Sequence, residues 1–267
     1  MGFVGVSMRT REAGERRARI AELVERNSSV SIANLKREFG ISAVTARSDL
    51  SVLEEEGKLR RMYGGAVSLD LTRHVSVPKE RMSVHMREKE RIARRAAEYV
   101  RDGDTIGIDA GTTTLEFTKR LADKRDIAIV TNDFAIAEYV EDHLPDAELV
   151  VLGGTFRRNH RYAFGRLTSA CLEMLHVDKA FLAANAFLPN QGFMTEYEPM
   201  ALVKSELIAH ARTSYVLMDA SKVGASSFIR FAELPDIDVI VMDVDPDGIV
   251  SSAIRRQSLT TQLTIAS

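Results

Sequence analysis

"IGIDAGTTTLEFTKRL", residues 106–121, decides how the larger part of this chain is read. An apolar run ends in Asp109, then come Gly111, Thr112, Thr113 and Thr114, then a helix-patterned stretch. Glycine and threonine are poor helix formers, so the turn has another purpose. Short runs rich in Ile, Val and Leu recur around it, at 105–109, 127–131, 148–152, 178–183, 214–218 and 237–242. Such runs mark strands buried on both faces of a parallel sheet. Helical patterns lie between them, near 113–123, 134–142, 166–175 and 198–212. The alternation predicts an α/β domain with a mostly parallel sheet. In such sheets ligands gather beyond the carboxyl ends of the strands.

Those strand ends share one chemical vocabulary. The first is followed by Asp109, Gly111, Thr112, Thr113 and Thr114, and the second by Thr131 and Asn132. The third leads into "GGTFRRN", with Gly153, Gly154 and Arg157. Asn185 follows the fourth, with Thr195, Glu196 and Lys204 beyond it, and the fifth runs into Asp219, Ser221 and Lys222. Glycines let backbone amides approach an anion, while threonine hydroxyls and a helix N-terminus add donors and positive potential. Lysines supply the countercharge, and Asp and Asn suit sugar hydroxyls. The turn at 109–114 is therefore expected to hold a phosphate. Neither the nucleotide-binding G-x-x-x-x-G-K-[ST] nor a dinucleotide G-x-G-x-x-G is present.

Other chemistry is thinly represented. Histidines at 74, 85, 143, 160, 176 and 210 form no H-x-x-x-H or H-x-H spacing, so no metal site is expected. His160, in "RRNHRYAFG", reads as a surface-loop histidine, with effector contact as the alternative. No Ser/His/Asp arrangement can be argued, so no catalytic residue and no cofactor are assigned. The single cysteine, Cys171, excludes an internal disulfide and reads as a small buried hydrophobe. It fits a reducing cytosol, and a cytoplasmic location is expected. No apolar stretch approaches the roughly 20 residues of a membrane span. Hydrophobic residues make up 45% of 267 residues and charged ones 28%, enough for a sizeable core in an ordinary globular protein.

The net charge of −2 conceals an asymmetry. Residues 1–68 carry 12 Lys and Arg against 9 Asp and Glu, and the remainder carries 24 against 29. A basic front on an acidic body points to a polyanionic partner for the front. Residues 1–14, opening "MGFVGVSM", lack the basic start of a signal peptide and read as a disordered leader, with Met8 as an alternative start. From Glu15, Ile20, Leu23 and Val24 recur at helical spacing, and Ile32, Leu35 and Phe39 make a second helix that stops at Gly40. Ser42 is placed to cap a third helix. On it Ala46, Leu50 and Leu53 share one side, while Val44, Arg47, Ser48 and Ser51 point the other way. Two helices joined by a tight turn, the second presenting a polar face, form a helix-turn-helix that enters the major groove. Lys58, Arg60, Arg61 and Tyr63 then precede Gly64 and Gly65, as two short strands of a basic wing that lies on phosphates. Arg47 is the candidate for a base edge, and Ser42, Thr45 and Ser48 for phosphates or bases.

The stretch "SVSIANLKREFGISAVTARSDLSVLEEEGKLRRMYGGAV" resembles the winged helix of DeoR-type bacterial transcriptional regulators, which read T-I-R-R-D-L and then L-x-R-x-H-G-G-A. Thr45, Arg47, Asp49, Leu50, Arg61, Gly64, Gly65, Ala66 and Val67 match, and Ala46, Ser48 and Tyr63 depart. Ser48 in place of the second arginine points to a different operator sequence. The body resembles the sensor domain of the same family, in D-x-G-T-T at 109–113, T-N at 131–132, L-G-G at 152–154, D-K-A-F at 178–181, G-F-x-T at 192–195, Lys204 and S-K at 221–222. Met200 stands where such proteins carry an acid four residues before the lysine, which suggests an altered effector preference.

The resemblance, over roughly 15–260, implies a winged helix-turn-helix at 15–68, a linker at 69–86, and a Rossmann-like domain at 87–267 similar to ribose-5-phosphate isomerase. It implies a repressor of a carbohydrate or polyol catabolic operon. Its partners would be double-stranded operator DNA, a phosphorylated sugar or polyol, and other copies of itself in a dimer or tetramer. A sugar-phosphate isomerase-like enzyme carrying a DNA-binding domain is the alternative.

Overall fold

The computed structural model of the protein describes residues 4–27, 29–62, 65–68 and 81–267. Tyr63 and Gly64 of the expected wing, and residues 69–80 of the expected linker, lie outside the described residues. The chain divides into two compact units, the first N-terminal and the second made of residues from 76 on.

In the first unit, α1 (Val4–Asn27), α2 (Ile32–Phe39) and α3 (Ala43–Glu55) pack by their apolar stripes. Ile20, Leu23 and Val24 meet Leu35, Ala46, Leu50 and Leu53 in one buried cluster. Gly40 ends α2 in the left-handed conformation, φ 63°, where a side chain would be strained. Ser42 then starts α3, its Oγ accepting from the Thr45 amide at 3.1 Å. Strands β2 (Leu59–Met62) and β3 (Gly65–Ser68) form the expected hairpin. A third strand, β1 (Ser29–Ser31), joins β3, and three residues are too few to show a period of two. The helix α1 begins inside the stretch expected to be a disordered leader, which is corrected here. Met8, Arg9, Arg11 and Glu12 are good helix formers and extend the helix backwards from Glu15.

The second unit contains seven parallel strands. In chain order they are β4 (Thr105–Ile108), β5 (Ala128–Thr131), β6 (Glu148–Val151), β9 (Val177–Ala183), β12 (Ala211–Leu217), β14 (Val239–Met242) and β15 (Gln262–Ile265). In space they run β15-β14-β12-β9-β4-β5-β6. The last, "QLTI", lies beyond the runs legible in the sequence, since it is short and half polar. Between β6 and β9 the chain forms the hairpin β7 (Thr155–Arg157) and β8 (Tyr162–Phe164). A small antiparallel sheet holds β10 (Ala186–Leu188), β11 (Gly192–Thr195) and β13 (Ile229–Ala232). The helices are α4 (Met86–Ala97), α5 (Thr112–Thr118), α6 (Phe134–His143), α7 (Arg166–Glu173), α8 (Glu198–Ala209) and α9 (Ile249–Arg256).

Alternate strand residues serve two separate cores, as the pleat requires. Phe181, Tyr215 and Leu217 belong with Ile92, Ala96 and Phe117, whereas Ala180, Leu182 and Val216 belong with Val203, Leu207 and Phe187. Phe181 stacks on Phe117 at 4.2 Å and on Tyr215 at 4.6 Å between ring centres. Each such burial is worth about 1.5–3 kcal/mol, so the two cores fix the strand order between them. That order has one reversal. The chain lays β4, β5 and β6 outward on one side, then returns to place β9 against the other edge of β4. The crevice beyond the ends of β4 and β9 is the topological switch point of the sheet.

Candidate functional site

In the first unit the polar strip of α3 faces outward. Val44, Arg47 and Ser48 are exposed, while Ala46, Asp49 and Leu50 are buried. Arg47 has no hydrogen bond or ion pair among the described residues, so its guanidinium is free for a partner. Ser42 and Thr45 share a hydroxyl contact at 2.9 Å in addition to the cap. Asp49 takes no part in that strip. It accepts from Arg16 at 2.7 and 3.2 Å, a fork that ties α1 to α3. The wing cations are partly occupied. Lys58 pairs with Glu56 at 3.0 Å, and Arg61 with Glu54 at 3.2 Å. Exposed pairs of this kind are worth 1 kcal/mol or less, roughly, so a phosphate can replace the acid. Arg60 lies on β2, and its side chain and Tyr63 are outside the described residues.

In the second unit, the ends of β4 and β9 are bridged by Asp109 and Lys204. Asp109 is fully buried, accepts from the Ala183 amide at 3.0 Å and forms an ion pair with Lys204. Lys204, on the buried side of α8, also donates to the Ala183 carbonyl at 2.8 Å. Burial, with repulsion from Arg81 added, pushes the ammonium down to about 7. Gly111 follows in extended backbone, and a Cβ there would meet Ala183 Cβ and Thr114 Oγ1, both at 2.9 Å. The glycine is thus demanded by close approach. Its amide reaches the Asp133 carboxyl, which caps α6 through the Ala135 and Ile136 amides at 2.7 and 3.3 Å. Burial nevertheless raises Asp133 to about 6. Asn132 is fully buried and donates to the Ala163 carbonyl at 2.8 Å and to Met200 Sδ at 3.6 Å, leaving its own carbonyl oxygen without a partner. Asp109, Gly111, Asn132 and Lys204 are therefore brought together at the switch point.

The other expected residues divide. Thr112 and Thr113 open α5 close by, both nearly buried. Thr114 turns away, its hydroxyl donating to the Asp109 and Gly111 carbonyls at 2.9 Å each, so it holds the turn in shape. Gly154 packs under the hairpin, where a Cβ would lie 2.4 Å from Thr168 Oγ1. The Gly153 carbonyl accepts from that same hydroxyl at 2.7 Å. Arg157 donates to Tyr162 Oη at 2.6 Å and lies 3.6 Å from the centre of the Tyr197 ring. Asn185 accepts from the Thr195 hydroxyl at 3.1 Å, and Glu196 follows directly after β11. Lys222 pairs with Asp219 at 3.9 Å beyond β12. His160 is buried beside Tyr162, with ring centres 5.9 Å apart, which corrects its reading as a surface-loop residue.

Three charged groups escaped the sequence reading. Asp133 lies one residue past Asn132, between β5 and α6. Lys89 is buried on α4 and donates to the Arg81 and Val84 carbonyls at 2.5 and 2.7 Å, and burial lowers it to about 8. Its place three residues before Ile92 puts it on the inward stripe, a legible signal. Arg81 acts electrostatically on Lys204, Lys89 and Tyr162 together. Nothing in its aperiodic surroundings marked it. Among the described residues there is no cluster of metal-ligating side chains, and no helix is long and apolar enough to cross a membrane.

Comparison with known proteins places these arrangements. Residues 16–72 match the DeoR-like helix-turn-helix domain, and residues 84–244 match the DeoR C terminal sensor domain. The HTH-type transcriptional regulator GlpR of Haloferax volcanii is 33% identical over 86% of this chain and 89% of its own length. The HTH-type transcriptional repressor GlcR of Bacillus subtilis is 30% identical over 87% of this chain and 89% of its own. Among solved structures, a D-ribose-5-phosphate isomerase in complex with phospho-erythronic acid is 20% identical over 56% of this chain and 55% of that one, with a TM-score of 0.38. A helix-turn-helix with a free outward arginine, joined to a parallel-sheet unit and matched by both family domains, leaves one assignment: this chain belongs to the DeoR family and is a DNA-binding transcriptional regulator rather than an enzyme.

Proposed function

We propose that the protein represses a carbohydrate or polyol catabolic operon, and that a phosphorylated sugar or polyol at the switch point of its sheet changes its hold on operator DNA. The observation that carries this reading is the convergence of Asp109, Gly111, Asn132 and Lys204 at the one crevice where strand order reverses. In this reading the Gly111 loop, Thr112 and Thr113 hold the phosphate, and Arg81, Lys204 and Lys222 supply countercharge. Asp109, Asn132, Asn185 and Glu196 take the hydroxyls, with Arg157 at the rim. Thr114, Gly153 and Gly154 shape the loops without touching the guest. On the DNA side, Arg47 and Ser48 read bases, Ser42 and Thr45 sit at the groove, and Lys58, Arg60, Arg61 and Tyr63 meet phosphates. The effector acts only through a difference in its affinity for DNA-competent and DNA-incompetent states. A symmetric dimer or tetramer follows from the gain in specificity when half-sites are paired.

The test is a melting-temperature screen of the full chain against phosphorylated sugars and polyols. A true effector at a hundred times its Kd stabilises by about 2.7 kcal/mol and alters operator affinity. Thr112→Val is expected to abolish the shift while leaving the unliganded melting temperature in place. No stabilisation by any such compound would overturn the sensing half of the proposal.

A further inference from the structure

Val44 is 74% exposed, the only large apolar side chain so exposed among the described side chains up to residue 68. It stands in the first turn of α3, two residues after the Ser42 cap, with Arg47 three and Ser48 four positions further on. That spacing puts the three on one strip. The core is built from the opposite face, through Ala46, Leu50 and Leu53. Helix formation does not call for valine here, since branching at Cβ lowers helix propensity. An apolar group on a helix whose first turn enters the major groove has one natural counterpart there. Base edges in that groove offer hydrogen-bond donors and acceptors, and the only apolar group among them is the C5-methyl of thymine.

We propose that Val44 is a specificity-determining residue that packs against a thymine methyl in each operator half-site. Side chains three apart on a helix are about 5–6 Å apart at Cβ, and base steps rise about 3.4 Å. The thymine therefore lies within two base pairs of the pair addressed by Arg47. Each half-site accordingly carries a T·A pair within two base pairs of the pair that Arg47 addresses, and Val44 discriminates it from C·G by packing rather than by hydrogen bonding. The inference rests on the DNA-binding assignment and is independent of the effector.

The full-length protein is first used to enrich binding sequences from a random duplex pool. Each thymine of the enriched half-site is then replaced in turn by deoxyuridine, which removes the methyl and keeps every hydrogen-bonding group. Fluorescence anisotropy is expected to show one position per half-site where the exchange weakens the wild-type protein about four-fold, the worth of one buried carbon. Val44→Ala, with an unchanged melting curve, is expected to bind the thymine duplex weakly by a similar factor and to make no distinction at that position. Indifference of the wild type to every exchange, or a distinction that survives in Val44→Ala, overturns the proposal. Failure to enrich any sequence overturns the DNA-binding assignment beneath it.

Discussion

The two units treat their polar residues in opposite ways. On α3, Arg47 and Ser48 stand in solvent with no partner among the described residues, and Lys58 and Arg61 of the wing are held by exposed pairs. At the sheet's switch point, Asp109, Asn132, Asp133 and Lys204 are buried and already bonded to backbone or to one another. The difference follows the size of the guest proposed for each unit. A duplex is a rigid polyanion that must be met from outside, so its contacts stay hydrated until it arrives. A small ligand needs a dry, prearranged cradle, and groups kept out of water have perturbed protonation and strict demands for partners.

The most severe way to break this contrast is at the buried ion pair. Asp109→Ala leaves Lys204 buried without a countercharge and is expected to cost about 3–5 kcal/mol, read by urea unfolding of the second unit. Adding Lys204→Met should restore most of it, and equal losses in the single and double variants would refute the pairing. Next is the protonation of Asp133. Its folded value of about 6 exceeds the ordinary 3.8, so the folded form holds the proton more tightly. Stability should therefore fall as pH climbs from about 4 to about 6, by up to about 3 kcal/mol. Asp133→Asn keeps the helix cap and should flatten that slope, and an unchanged pH profile would count against a buried acid.

On the exposed side the effects are smaller and of another kind. Arg47→Ala is expected to cost about 1–3 kcal/mol of specific binding and to level the preference among sequences, with effector binding intact. Parallel loss of both would mean the two units do not divide the labour. Lys58→Ala should weaken all duplexes alike and lower the slope of log affinity against log salt by about one, seen in a salt titration. A change confined to one sequence would show that Lys58 reads bases.

Elements with a strong period were legible. Ile20, Leu23, Leu35 and Leu50 announce their helices, and six of the parallel strands announce themselves as runs of branched apolar residues. β1 and β15 did not, because Ser29–Ser31 is only three residues and Gln262–Ile265 is half polar, so neither shows an apolar run. The residue types at the strand ends were readable, but not their direction. "GTTT" does not reveal that Thr114 turns back on its own loop while Thr112 and Thr113 remain at the crevice. Lys89 is readable from its spacing to Ile92, within the charged run "REKER". Arg81 was not readable, since its importance comes from proximity to Lys204, which only the tertiary fold creates.

The crevice between β4 and β9 is stitched from distant parts of the chain, since Asp109 meets a backbone 74 positions later, and Lys204 lies 21 beyond that. A ribosome therefore releases the helix-turn-helix long before the last piece of the proposed effector site exists. Proteolysis ahead of Lys204 has the same result at the other end of the protein's life. On the sensing role proposed above, a fragment that ends before α8 would keep its helix-turn-helix and lack Lys204, so synthesis through α8 is what would join DNA binding to the effector.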